Sequence, residues 1–226
     1  MGYSSYYDAA SVAAAVASGA HREAVGGEWH EVGLLQLDFL RRHGLRPDHT
    51  LLDIGCGCLR FGVQAVAYLE PGRYWGTDLR PELLRAGYER EIVPAGLGGR
   101  LNASQLLEDG DFSFPGIPGN IDFAWAISVF THLPPQQLRQ CLTNLAHDRQ
   151  VPCVFYFTIF EPAGDYAGST EQYPGIVTRP DRDPYHYRMH DVRAAAAGLP
   201  WSIEYIGAWS HPRNQKMVRA TLAAGS

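Results

Sequence analysis

A short apolar run that ends in two glycines one residue apart constrains the fold of this chain more than any other segment. Thr50-Leu51-Leu52-Asp53-Ile54-Gly55-Cys56-Gly57-Cys58-Leu59-Arg60 reads as a buried strand, a tight turn and the opening of a helix. Gly55 and Gly57 let the backbone turn sharply and bring N–H groups toward a ligand with no Cβ in the way. A dinucleotide fingerprint needs G-x-G-x-x-G, with a phosphate resting on the helix N-terminus. Here the third glycine, Gly62, comes too late, and Asp53 precedes the first. An acid at that place opposes a pyrophosphate but attracts an ammonium or a sulfonium.

A second acid extends the pattern. Arg73-Tyr74-Trp75-Gly76-Thr77-Asp78 reads as the next strand, and Asp78 stands 21 residues after Gly57. That is near the spacing at which an Asp or Glu takes ribose hydroxyls. Asp78 also fits a helix start, because Pro81 suits a first helical turn. The two roles are compatible.

With 226 residues, 46% of them hydrophobic, the chain can bury one substantial core. It reads as one domain over 28–226 with an N-terminal helical extension over 1–27 that could fold over a ligand. A net charge of -5 and a single lysine, Lys216, argue against a nucleic-acid surface, which needs clustered Lys and Arg. The four cysteines include one close pair, Cys56 and Cys58, and no second pair to complete a zinc site. They read as reduced and structural. The sequence has no apolar run of membrane-spanning length, and its start lacks a basic region followed by a hydrophobic core. A soluble, cytoplasmic protein without membrane partners is the expectation.

Periodicity places a helix over 28–42, stopped by Gly44, after an Ala-rich helix-prone stretch over 8–19 and a loop over 20–27. The order then runs helix 60–70, strand 73–77, helix 81–92, short strand 100–103, strand 121–127, helix 134–147, strand 152–160 and helix 189–197. Two strands near 201–207 and 215–222 close it as a hairpin. Alternating strands and helices imply an α/β fold with a doubly wound, Rossmann-like, mostly parallel sheet. The final hairpin adds an antiparallel strand, for seven strands in all. Ligands of such sheets sit beyond the carboxyl ends of the strands. Three segments should therefore meet at one site: 53–60, 78–80 and 126–133.

The strings D-I-G-C-G-C-L-R, Y-W-G-T-D, S-V-F-T-H-L-P and H-P-R-N-Q-K-M resemble a group of small bacterial class I S-adenosylmethionine (SAM) dependent methyltransferases, over about Glu28 to the C-terminus. The resemblance implies SAM as cofactor, held by Asp53, Gly55, Cys56, Gly57, Arg60, Asp78, Leu79, Ala126, Ile127 and Ser128. It implies methylation of a small-molecule acceptor at O or N, in bacterial specialised or glycan metabolism. A homodimer stays open. Phe61 departs from the small residue expected after L-R.

Methyl transfer from a sulfonium already has a good leaving group, so alignment can supply roughly 7–11 kcal/mol of the acceleration. A base is needed only where the acceptor must lose a proton. His132 is the best-placed candidate, because an ordinary histidine titrates near about pH 6.5. The alternative is that it caps the following helix. Tyr187 and His211 are the other catalytic candidates, and the acceptor pocket is expected to draw on Tyr185-His186-Tyr187, Trp209-Ser210-His211, Tyr3, Tyr6 and Tyr7. Glu161 to Asp183 reads as the variable loop that shapes acceptor choice.

Pro134-Pro135 lacks the preceding Asp or Asn of the D/N-P-P-Y/F signature, since Leu133 stands there, which argues against DNA and release-factor substrates. Ala126-Ile127-Ser128 offers no carboxylate for a metal. Two rivals keep the cofactor: an enzyme that uses the aminocarboxypropyl arm of SAM and releases methylthioadenosine, and a non-catalytic SAM-binding subunit. A nicotinamide dehydrogenase is disfavoured by Asp53 and by the glycine spacing.

Overall fold

The computed structural model describes residues 8–147, 153–164 and 167–222, so Tyr3, Tyr6 and Tyr7 lie outside the described residues. The helices are α1 (Ala9–Ala17), α2 (His21–Ala24), α3 (Trp29–Arg42), α4 (Gly62–Tyr68), α5 (Pro81–Gly87), α6 (Pro135–Ala146) and α7 (Met189–Ala196). The strands are β1 (Leu51–Ile54), β2 (Tyr74–Asp78), β3 (Leu106–Glu108), β4 (Phe123–Ala126), β5 (Cys153–Ile159), β6 (Thr170–Tyr173), β7 (Ile176–Thr178), β8 (Trp201–Ala208) and β9 (Lys216–Leu222). Seven of them form one sheet in the order β3-β2-β1-β4-β5-β9-β8. β2 runs parallel to β1 and β3, β4 runs parallel to β5, and β9 lies antiparallel to both β5 and β8. This is the doubly wound, mostly parallel arrangement that the alternation of elements implies. Among the described residues, no helix is long and apolar enough to cross a membrane.

The chain divides into two compact units, the first reaching Gly110 and including Pro115–Ile117, the second holding Asp111–Phe114 and the residues from Pro118 onward. In the first, all four residues of β1 are buried, as expected of a parallel strand covered on both faces. Leu51 and Leu52 are fully buried, each contributing roughly 1.5–3 kcal/mol of transfer free energy. α3 turns Val32, Gln36, Phe39 and Leu40 inward. α5 starts on Pro81, and at Gly87 it passes so close to the glycine turn that a Cβ would stand 2.7 Å from the Cys58 carbonyl. Only glycine permits that approach. Phe61 is buried at the start of α4.

Two expectations in this unit need correcting. The segment 20–27 is not a plain loop, because it carries α2 and is tied down along its length. The Cys58 thiol donates to the His21 carbonyl at 3.2 Å, and the Arg60 guanidinium donates to the carbonyls of Val25 and Gly27 at 3.1 and 2.9 Å. Buried Glu91 accepts from Arg22 through both oxygens, at 2.8 and 2.6 Å, and pairs with His21 at 2.7 Å. Burial pushes the Glu91 carboxyl up, but the hydrogen bonds from Arg22 and His21 outweigh it and hold it below its ordinary range. The second correction moves the short strand from 100–103 to β3. Asn102 accepts from the Ser104 amide while Gln105 accepts from the Asn102 amide, and this reciprocal cap winds Ala103–Gln105 into a 3₁₀ turn instead.

In the second unit, β4 and β5 carry a nearly continuous apolar run, and Phe130 packs edge-on against Phe155 and Phe157. β8 and β9 form the expected antiparallel pair. The expected variable loop over 161–183 contains a hairpin, β6–β7. A buried polar chain stabilises it: Gln172 donates to the Glu161 carbonyl at 2.6 Å and to Thr178 Oγ1 at 3.1 Å, and Thr178 lies 3.0 Å from His186 Nδ1.

Candidate active site

The glycine turn after β1 is built as read, with Gly55 and Gly57 at φ of 69° and 55°, in the left-handed region that glycine tolerates. Its amides, however, do not open toward a ligand. The N–H groups of Gly55 and Cys56 both donate to the Thr77 carbonyl, at 2.8 and 3.0 Å. The Gly57 N–H donates to Asp78 Oδ2 at 2.8 Å. The other oxygen of Asp78 accepts from the Arg80 N–H, also at 2.8 Å, just ahead of α5. One buried carboxylate therefore fixes the turn to the end of β2 and starts the next helix. Two charge-assisted hydrogen bonds to backbone amides are among the stronger polar contacts a fold can make.

Asp53 lies beneath this turn, 4% exposed, and accepts from the Tyr74 hydroxyl at 2.6 Å. Burial pushes its carboxyl up to about 7. The charge of Asp78 pushes the same way, while the Tyr74 hydrogen bond and the charge of Arg60 act against it. All four cysteines are buried and outside any disulfide. Burial drives Cys58 up to about 12 and Cys56 well above the ordinary range, so neither is a nucleophile. Leu79 follows Asp78 half-buried, and Arg60 reaches back to the 25–27 carbonyls. The chemistry of this donor set is specific. It supplies carboxylates and spends three amides internally, which suits a ligand with hydroxyls and a cationic centre and does not suit a phosphate.

In the second unit, β4 ends at buried Ala126, followed by half-buried Ile127 and Ser128. Ser128 is held at a φ of 62° by a network absent from the sequence reading. Its N–H donates to Thr158 Oγ1 at 2.9 Å, Thr158 donates to Gln215 Oε1 at 2.6 Å, and Gln215 Nε2 donates to Ser128 Oγ at 2.8 Å. The N-Q-K string was the available signal for Gln215; nothing marked Thr158.

His132 closes a 3₁₀ turn, Phe130–His132, and does not cap α6, whose N-cap is Pro134. Its Nδ1 lies 2.6 Å from Asp183 Oδ1. The irregular segment 179–187 grips 131–133 at three successive residues. The Tyr185 N–H donates to the Thr131 carbonyl at 2.7 Å, Asp183 meets His132, and the Tyr187 hydroxyl donates to the Leu133 carbonyl. Tyr187 is thus fully buried and bonded to the chain itself, in a stitch rather than facing an acceptor. His186 is equally buried in the Thr178 network. His211 is half-buried, stacks near Trp209 at 5.3 Å and accepts from the Arg213 N–H at 3.2 Å, which organises the β8–β9 connection. Asp183 is the site residue that sequence reasoning missed, because 51 residues separate it from His132.

No family model matches the chain. Solved structures do. Magnesium protoporphyrin IX methyltransferase from Synechocystis PCC 6803, with bound SAM, superposes with a TM-score of 0.57 at 16% identity, over 85% of this chain and 81% of that one. A putative O-methyltransferase from Nostoc punctiforme PCC 73102 gives 0.62 at 16% identity, over 89% of this chain and 59% of that one. A SAM-dependent methyltransferase from Clostridium acetobutylicum ATCC 824 gives 0.59 at 12% identity, over 88% and 94%. The chain shares the fold of SAM-dependent methyltransferases.

Proposed function

We propose that the chain is a SAM-dependent methyltransferase that acts on a small-molecule acceptor. One observation carries this reading above other uses of the fold: the glycine turn is lined by carboxylates, and its amides are bonded to Thr77 and Asp78. Nucleotide cofactors with a pyrophosphate need the opposite arrangement. Asp78 is assigned to the ribose hydroxyls. Asp53, whose carboxyl burial pushes up to about 7, is assigned to the cofactor's ammonium, which would favour its charged form. Leu79 offers an apolar edge to the adenine, and Ala126, Ile127 and Ser128, at the end of β4, are the remaining cofactor candidates.

When bound, SAM supplies an electrophilic methyl group on a sulfonium. The protein's task is then to align the acceptor, exclude water and take a proton where the acceptor must lose one. His132 is the group assigned to that proton.

The test is direct. Purified protein is titrated with SAM and with NAD by calorimetry, then incubated with SAM and a panel of hydroxylated small molecules, and the nucleoside product is identified. Saturable SAM binding with release of S-adenosylhomocysteine is expected. Methylthioadenosine as the product would replace methyl transfer with aminocarboxypropyl chemistry. NAD binding in place of SAM would overturn the assignment of the turn.

A further inference from the structure

We propose that Asp183 is a positioning residue that locks His132 in a single tautomer, with the proton on Nδ1 and the lone pair on Nε2. This inference rests on the methyl-transfer reading and narrows it to acceptors that must shed a proton, hydroxyl compounds above all.

The argument starts from what each partner can donate. A carboxylate has no proton to give, so in the 2.6 Å contact between Asp183 Oδ1 and His132 Nδ1 the ring is the partner that can supply one. A neutral imidazole carries one N–H, and placing it on Nδ1 makes Nε2 the basic nitrogen. Asp183 has a side chain only 7% exposed, whereas that of His132 is 38% exposed. The buried member thus orients, and the accessible one meets small molecules. A buried carboxylate also offsets the charge of the imidazolium formed when Nε2 accepts the proton from an acceptor hydroxyl, whose bonding pair stays on oxygen.

The surroundings fix the geometry on both sides of the pair. The Tyr185 N–H bonds the Thr131 carbonyl at 2.7 Å, and the Tyr187 hydroxyl bonds the Leu133 carbonyl. Asp183 itself is held within a turn closed by the Arg179 N–H on the Pro184 carbonyl at 3.0 Å. These bonds hold the backbone on both sides of His132 and next to Asp183. A pair placed only to brace the fold has no need of an accessible ring. A neutral amine attacks a sulfonium methyl without first losing a proton, whereas a hydroxyl is a weak nucleophile until its proton is taken, so the pair points to hydroxyl methylation.

The test reads the tautomer without any cofactor or acceptor. Nitrogen-15 correlation spectra of histidine-labelled protein, taken at a pH where the ring is neutral, distinguish a protonated Nδ1 from a protonated Nε2. Wild type is expected to show His132 protonated at Nδ1, with assignment by its loss in His132→Gln. In Asp183→Ala that signature should give way to the Nε2–H form that water favours, while SAM binding by calorimetry stays near wild type. Should Asp183→Ala fail to fold, Asp183→Asn is read the same way, and is expected to lose the single-tautomer spectrum. An Nε2–H signal in wild type, or an unchanged Nδ1–H signal in the folded variant, would overturn the proposal whatever the protein methylates. Failure of SAM to bind while the Nδ1–H signal is present would instead overturn methyl transfer and leave the pair intact.

Discussion

The turn at 53–60 and the segment at 128–133 are both placed at the end of a strand, yet they are built on different principles. The first is assembled from its neighbours in the sheet: its amides bond the Thr77 carbonyl and the Asp78 carboxylate, on the adjacent strand. The second is held by residues far along the chain, Thr158, Asp183, Tyr185 and Gln215. A turn of the first kind is fixed by the sheet that carries it. A turn of the second kind takes its geometry from the distant segments that bond to it, and it can change with them while the first stays as it is.

The sharpest break in that comparison is His132→Ala. If the proton acceptor belongs wholly to the second region, kcat should fall by about 10²–10⁴, with SAM affinity unchanged. Steady-state kinetics and calorimetry on one preparation read both. Near-native turnover would mean that alignment alone suffices.

Next in size is a pH effect confined to the first region. Asp53 ionises at about 7 in the folded chain against 3.8 ordinarily, so the folded state holds a proton that the unfolded state has lost between those limits. Stability of the ligand-free protein should therefore fall as pH rises from about 4 to about 7, by an amount on the order of 4 kcal/mol at about 1.36 kcal/mol for each pH unit. Asp53→Asn should remove this slope and raise Tm above pH 7, while weakening SAM binding. A thermal-melt series across that range checks it, and an unchanged slope in the variant would assign it elsewhere.

Asp78→Ala should cost about 1.5–3 kcal/mol of SAM affinity, the range for a hydrogen bond to a charged group. Asp78→Asn separates the two jobs of this side chain, because its amide can keep only one of the backbone contacts from Gly57 and Arg80. Unchanged calorimetric affinity in both variants would remove Asp78 from the ribose. The smallest effect is expected for Tyr187→Phe, which deletes one hydrogen bond to the Leu133 carbonyl. Stability should drop by about 0.5–1.5 kcal/mol by chemical denaturation, with a modest loss of kcat as the Leu133 backbone loosens. A loss as large as that of His132→Ala would return Tyr187 to the chemistry.

The same contrast explains what could be read from the sequence. Asp53, Gly55, Gly57 and Asp78 lie in short strings whose spacing carries the geometry, and the order of strands and helices follows from periodicity. The sequence could not show that the turn's amides are internally bonded, because that depends on the register of β1 against β2, Ile54 beside Thr77. Nor could it pair His132 with Asp183, since nothing local in either string specifies a partner 51 residues away. The β6–β7 hairpin was hidden because its glycine and proline residues read as loop, and its strands are only four and three residues long. Tyr187 drew attention as an aromatic with a polar tip; its burial came from a packing environment that composition does not encode.

The tethering of the first two helices bears on how the chain tolerates shortening. Glu91 is buried, and the side chains bonded to it, His21 and Arg22, belong to the segment before Glu28. Cutting the chain after that segment would remove both partners of Glu91 and uncover the side chain, along with the apolar surface of Cys58 and Leu83 that Val12 covers. What reads in the sequence as an extension that could fold over a ligand is therefore, at Val12, His21 and Arg22, a cover for the fold itself, and a trimmed chain is expected to melt at a lower temperature.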